Sequence, residues 1–206
     1  MSSLAPTPQH LVREAARSLL DPQGRDLAAQ VEWWSLPELE AGNGWGPWPV
    51  AVLGEGPPVL LLHGFDSSFL EFRRLAPLLA GGTQLFIPDL FGFGFCPRPV
   101  GSQYNPAAVL EHLERVLEAA LERSGATQLG VIGASMGGAA AMELARRLGL
   151  PVVFVPHPNP GALADAANKN IWDVGFLGAE PQRANEIDFT AAYVEIESTY
   201  LVPPGS

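Results

Sequence analysis

"LGVIGASMGGAAAMELARR", residues 129–147, decides the fold of this chain. An apolar run that suits a strand ends in the pentapeptide Gly133-Ala134-Ser135-Met136-Gly137, a GxSxG pattern, and an alanine-rich helical stretch follows at once. A serine on so sharp a strand-to-helix turn takes a strained backbone conformation, so its neighbours must lack side chains that would clash. Gly133 and Gly137 meet that need. The serine Oγ then projects above the sheet at a helix N-terminus, where the helix dipole favours developing negative charge. The strand before and the helix after are what make the pattern specific.

Outward from this turn the chain alternates. Strand "PVLLLHG" (58–64) precedes a helix over 68–80, strand "TQLFIPDL" (83–90) a helix over 106–123, and "QLGVIGAS" (128–135) a helix over 137–148, after which comes "PVVFVPH" (151–157). Strands alternating with helices of about a dozen residues predict right-handed βαβ units. The fold class expected is α/β, a mostly parallel sheet with helices on both faces, incomplete at its C-terminal end. Before it, Leu11, Ala15 and Leu19 give helical spacing over 8–20, stopped by Pro22 and Gly24. "VEWWSL" (31–36), "WPVAVLG" (48–54) and "PVLLLHG" (58–64) read as a meander of strands, near which Trp33, Trp34, Trp45 and Trp48 are expected to be at least partly buried.

Composition narrows the function. With 206 residues, 47% of them apolar, the chain can bury a real core. A net charge of −10, and one lysine among twelve basic residues, gives no patch for a phosphate backbone, so no nucleic-acid partner is expected. The single cysteine, Cys96, excludes an intrachain disulfide, and no Cys or His cluster has metal-ligand spacing, so neither metal nor cofactor is implied. The first thirty residues lack the apolar run of a secretory signal and no stretch reaches membrane-spanning length, which predicts a cytoplasmic protein acting on a small molecule, its oligomeric state open.

The chemistry expected of Ser135 needs two N–H donors aimed at one point. The amide of Met136 is the first, and "LLLHGFDSS" (60–68) supplies the second from the loop after an earlier strand, with Phe65 as the donor. Residues 30–148, through "PPVLLLHGFDSSFLEFRRLAPLLA", "LFIPDLFGFGFCPRP" and "LGVIGASMGGAAAMELARR", resemble the α/β-hydrolase family. The resemblance implies a serine hydrolase that attacks carboxylic esters through an acyl-enzyme on Ser135, and it makes Asp89 a structural strand-end residue. Serine rather than aspartate at the elbow resembles the esterase, lipase and acyl-transfer branch.

A serine hydroxyl needs a histidine to take its proton and a carboxylate to orient that histidine. In this family both follow the serine, acid first. Here one histidine follows, His157, and it is the candidate base; Asp165, Asp173 and Asp188 are available as acids, and the acid stays open. His63 belongs to the oxyanion loop as a structural residue, while His10 and His112 sit on predicted helices.

Beyond His157 the rhythm weakens to a short helix at 160–168, a strand "DVGFL" and an extended stretch "FTAAYVEIESTYLV". "LARRLGLPVVFVPHPNPGALADA" and "WDVGFLGAEPQRANEIDFTAAYVEIESTYLVPPGS" resemble part of the first lobe of a type 2 periplasmic solute-binding protein. That resemblance implies a carboxylate-binding role for Arg183, whose fork suits bidentate pairing, although Glu180 departs from the small hydroxyl residues usual nearby. The expected organisation is an N-terminal helical segment (1–29), a hydrolase-like core (30–148) and a solute-binding-like segment (149–206), a composite joined near residues 143–150. The alternative to the hydrolase is a non-catalytic α/β protein or composite chain that binds a small carboxylate-bearing ligand.

Overall fold

The computed structural model describes residues 8–36, 39, 46–98 and 100–150. Among the described residues five strands form one sheet: β1 (Val31–Trp34), β2 (Trp48–Leu53), β3 (Pro58–Leu62), β4 (Gln84–Pro88) and β5 (Gly130–Gly133), in the order β1-β2-β4-β3-β5. The class is α/β, as the alternation predicted. The sheet is mixed: β3 runs parallel to β4 and β5, whereas β2 runs antiparallel to both β1 and β4. The link between β2 and β3 is only Gly54 to Pro57. A connection so short reverses the chain, because parallel strands need a crossover of a dozen residues or more.

Alternation along the strands divides the core into two layers, since successive side chains leave opposite faces of a pleated strand. Val50, Leu60, Leu62 and Phe86 bury one face against Leu110, Leu113, Val116 and Ala120 of α4 (Pro106–Ser124) and Leu144 of α5 (Met136–Arg147). Ala51, Leu61, Leu85 and Ile87 bury the other against Leu27 and Ala28 of α2 (Pro22–Ala29), Phe69 and Phe72 of a 3-10 turn (Phe69–Arg73), and Ala76 of α3 (Ala76–Leu79). Helices therefore cover both faces. Trp34 and Trp48 are fully buried in the first layer and Trp33 is half-buried; Trp45 lies outside the described residues.

Element boundaries follow local chemistry. The α4 helix starts where the Asn105 side chain accepts the Ala108 N–H at 3.0 Å, with Pro106 in the first turn, and stops at Gly125 with φ 66°. Pro22 does not merely end α1 (Pro8–Ser18), as the sequence suggested. It opens α2, because Asp21 caps it by accepting the Gln23 N–H at 3.0 Å and a proline in the first turn has no N–H to lose. The helix expected over 68–80 is split into the 3-10 turn and α3, with Pro77 at the start of α3, where continuing the preceding turn would clash. The strand at 151–157 and all elements expected after it lie outside the described residues.

Candidate active site

Parallel register brings two loops to one edge of the sheet. Leu62 pairs with Gly133, so β3 and β5 end level, and Ala134 N–H donates to the Leu62 carbonyl at 2.9 Å just where the turn begins. Ser135 then sits at φ 51° and ψ −114° as the N-cap of α5, its hydroxyl making no capping bond, and it is exposed. A Cβ on Gly133 would overlap the backbone of Gly137 and Gly138; one on Gly137 would overlap the Leu62 carbonyl. Both glycines of the pattern are thus steric requirements of this turn. Met136 opens α5, so its N–H is among the first-turn donors that have no partner inside the helix.

The loop after β3 stands against the serine. The point where a Gly64 Cβ would lie is 3.5 Å from Ser135 Cβ and 3.6 Å from Glu71 Oε2. The Gly64 N–H donates to that same Glu71 oxygen at 2.7 Å. Phe65 follows with an exposed ring that meets Phe93 edge to face, the ring centroids 5.5 Å apart. The loop also borders a cleft of about 520 Å³ whose lining includes Asp66, Ser68, Glu71, Phe95 and Arg98. The arrangement offers a serine Oγ, a helix N-terminus and a second backbone loop at one place.

His63 is fully buried behind this loop. Its Nε2 accepts the Leu90 N–H at 2.9 Å, which puts the ring proton on Nδ1, and Nδ1–H donates to the Gly64 carbonyl at 2.8 Å. Burial holds the imidazole below the usual histidine range. With both nitrogens committed, His63 ties β3 to the end of β4. His112 lies in the core, 4.7 Å between ring centroids from Trp48, with neither nitrogen hydrogen-bonded among the described residues; burial lowers its pKa to about 3. His10 stands on α1, 3.5 Å from Glu14. His157, Arg183 and Glu180, with Asp165, Asp173 and Asp188, lie outside the described residues.

Asp89 is the other buried titratable group here. Its carboxylate accepts N–H bonds from Phe69 and Phe95, each 2.6 Å, and so knits the 3-10 turn to the loop after β4. Burial raises its pKa to about 7 against those donors and the Arg98 charge. Gly94, at φ 52°, lies so close that any Cβ there would overlap this carboxylate. Cys96 is buried too; burial, then the Asp89 charge, pushes its thiol well above the ordinary range, so it is no nucleophile. Among the described residues no group of three or more His, Cys, Asp or Glu could hold a metal, and no helix is long and apolar enough to cross a membrane.

Glu71 is the site residue that sequence reasoning did not single out. Ser68 to Glu71 has the S-x-x-E spacing of a capping box. Ser68 does cap the 3-10 turn through the Leu70 N–H, but the Glu71 carboxylate reaches Gly64 on the preceding loop.

Comparisons with known proteins agree with this architecture. Residues 57–158 match a family model described as alpha/beta hydrolase fold. A 2-hydroxymuconate semialdehyde hydrolase of Pseudomonas sp. (strain CF600) is 35% identical over 97 residues, 46% of this chain and 33% of that protein. Lipase 1 of Psychrobacter immobilis is 38% identical over 92 residues, 45% of this chain and 28% of that protein. The chain thus spans about a third of the length of these relatives. A solved structure of a Vigna radiata epoxide hydrolase mutant, 26% identical, aligns over 59% of this chain and 36% of its own with a TM-score of 0.48. Residues 57–158 are the part that matches the alpha/beta hydrolase family, and the sheet, the elbow and the helices on both faces give the described residues an alpha/beta hydrolase fold.

Proposed function

We propose that the chain is a serine hydrolase acting on carboxylic esters or related acyl compounds through an acyl-enzyme. The observation that carries this reading is the backbone of Ser135, held at φ 51° with its hydroxyl exposed between the α5 N-terminus and the Gly64 loop. Ser135 Oγ attacks the acyl carbon while a base takes its proton. The oxyanion that forms accepts from the Met136 and Phe65 N–H groups, and its collapse expels the alcohol, which takes the proton from the base; water, giving a proton to the same base, then attacks the acyl-enzyme and releases the carboxylic acid and free Ser135. His157 is the candidate base and its carboxylate partner is unassigned. The small-molecule hydrolases and lipase among the relatives support the reaction class.

The test is intact mass after incubation with a fluorophosphonate probe, with Ser135→Ala treated alongside. One adduct, lost in the variant, is expected, and His157→Ala then labels at least tenfold more slowly. No adduct on folded protein removes the hydrolase reading. A second reading is favoured by one observation: His63 commits both nitrogens and His112 is enclosed in the core, so neither serves Ser135. In that reading the fold is non-catalytic, a composite that binds a small carboxylate at Arg183. Loss of succinate or glutamate binding in Arg183→Ala, measured by calorimetry, is its signature.

A further inference from the structure

We infer that Glu71 is a positioning residue of the oxyanion-hole loop, one that holds the Gly64 peptide so that the next amide, Phe65 N–H, is the one left for substrate. The inference rests on the hydrolase reading above. A glutamate in a Ser-x-x-Glu pattern ordinarily turns back on its own helix start. Here the Ser68 hydroxyl caps alone and the Glu71 carboxylate leaves the 3-10 turn to accept the Gly64 N–H at 2.7 Å. Two elements are thereby fixed to each other by one bond, next to the nucleophile: a Cβ added to Gly64 would lie 3.5 Å from Ser135 Cβ and 3.6 Å from Glu71 Oε2.

Two physical consequences follow. An ionised carboxylate is acceptor-only, so it satisfies the Gly64 N–H and donates nothing to an oxyanion. With the Gly64 N–H taken, the Met136 and Phe65 amides are the donors left for an oxyanion. His63 completes the clamp from behind, because its Nδ1–H holds the carbonyl of the same glycine. Gly64 is therefore gripped at its N–H by Glu71 and at its C=O by His63, and the peptide it forms with Phe65 has little freedom to turn.

The experiment uses the full chain, wild type, Glu71→Gln and Glu71→Ala, and reads the maximal rate constant and the half-saturating concentration of fluorophosphonate labelling at Ser135. Glu71→Ala is expected to lower the rate constant about 100-fold with little change in half-saturation, the usual scale for a misaligned oxyanion donor. Glu71→Gln, whose amide oxygen accepts the same N–H, stays within about threefold of wild type. Deuterium exchange at the Gly64 amide is the second readout, at least tenfold faster in Glu71→Ala than in the other two. If Glu71→Ala lowers only the unfolding midpoint and labels at the wild-type rate, or if Glu71→Gln is as slow as Glu71→Ala, the positioning role is overturned. Should Glu71→Ala not fold, the Gln variant decides alone, a wild-type rate with Gly64 protected supporting the role and any large loss overturning it. A wild type that never labels overturns the hydrolase reading and this role together.

Discussion

Ser135 holds a backbone conformation, φ 51° and ψ −114°, that a residue with a Cβ adopts only when its surroundings hold it there. Such strain is worth about 1–3 kcal/mol. Ser135→Gly is accordingly expected to stabilise the fold by about 1–2 kcal/mol while removing the proposed nucleophile, read as a higher thermal midpoint; an unchanged or lower midpoint would show that the elbow is relaxed. Gly137→Ala should act the other way. Its methyl group meets the Leu62 backbone, which cannot rotate aside, and a loss above about 3 kcal/mol in urea unfolding is expected. Both glycines were legible in the sequence, since the GxSxG pattern between strand and helix already demands them. Glu71 was not, because its spacing from Ser68 offers a purely local partner and nothing in the sequence says that Gly64 comes within reach.

At the scale of elements, legibility followed punctuation. Helix α4 was expected over 106–123 and spans Pro106–Ser124, because Asn105-Pro106 opens it and Gly125 closes it with local chemistry alone. Asn105→Ala should therefore cost about 1 kcal/mol, measured by denaturant unfolding, with no change in the elbow. Helix α2 escaped notice since Pro22 and Gly24 read as breakers, whereas Asp21 turns that proline into a helix start and Gly24 is buried against neighbouring elements. The continuous helix expected over 68–80 was wrong for a related reason: apolar periodicity ran through Pro77, but a proline cannot continue the preceding turn.

For the whole molecule, two buried groups pull the pH dependence of stability in opposite directions. Asp89, raised to about 7 by burial, contributes stability that is complete below its unfolded value near 3.8 and is lost as pH rises through about 7. His112, lowered to about 3 by burial, contributes stability that is complete above 6.5 and is lost as pH falls toward about 3. Each effect is on the order of 4 kcal/mol, and between about pH 4 and 6.5 they offset. His112→Leu removes the second, so its stability relative to wild type should grow steadily as pH falls from 6.5, while at pH 7.5 it is at least as stable because two buried nitrogens without a hydrogen bond among the described residues are gone. Urea midpoints at pH 4.5, 5.5 and 7.5 decide this; a constant difference between the two proteins would rule it out. The sequence yielded the fold class and the two-layer burial. The meander expected over 31–64 holds where β1 pairs antiparallel with β2, but not between β2 and β3, because neighbours in a sheet need not be neighbours in sequence and β4 inserts between them.

That insertion also orders events in time. The β2, β3 and β4 strands can meet across short stretches of chain, whereas β5 reaches β3 only after the whole of α4 has been looped out, the costliest closure of the described sheet. The contacts that bend Ser135 into its conformation, the Leu62 carbonyl on Ala134 and the close approach of Gly137 to the same strand, do not exist before that closure. The strained conformation of Ser135 is therefore a late product of assembly. On gentle heating or in dilute denaturant the undocking of β5 would return Ser135 to a relaxed backbone while the helices still persist, so the elbow would be lost before the helical signal is.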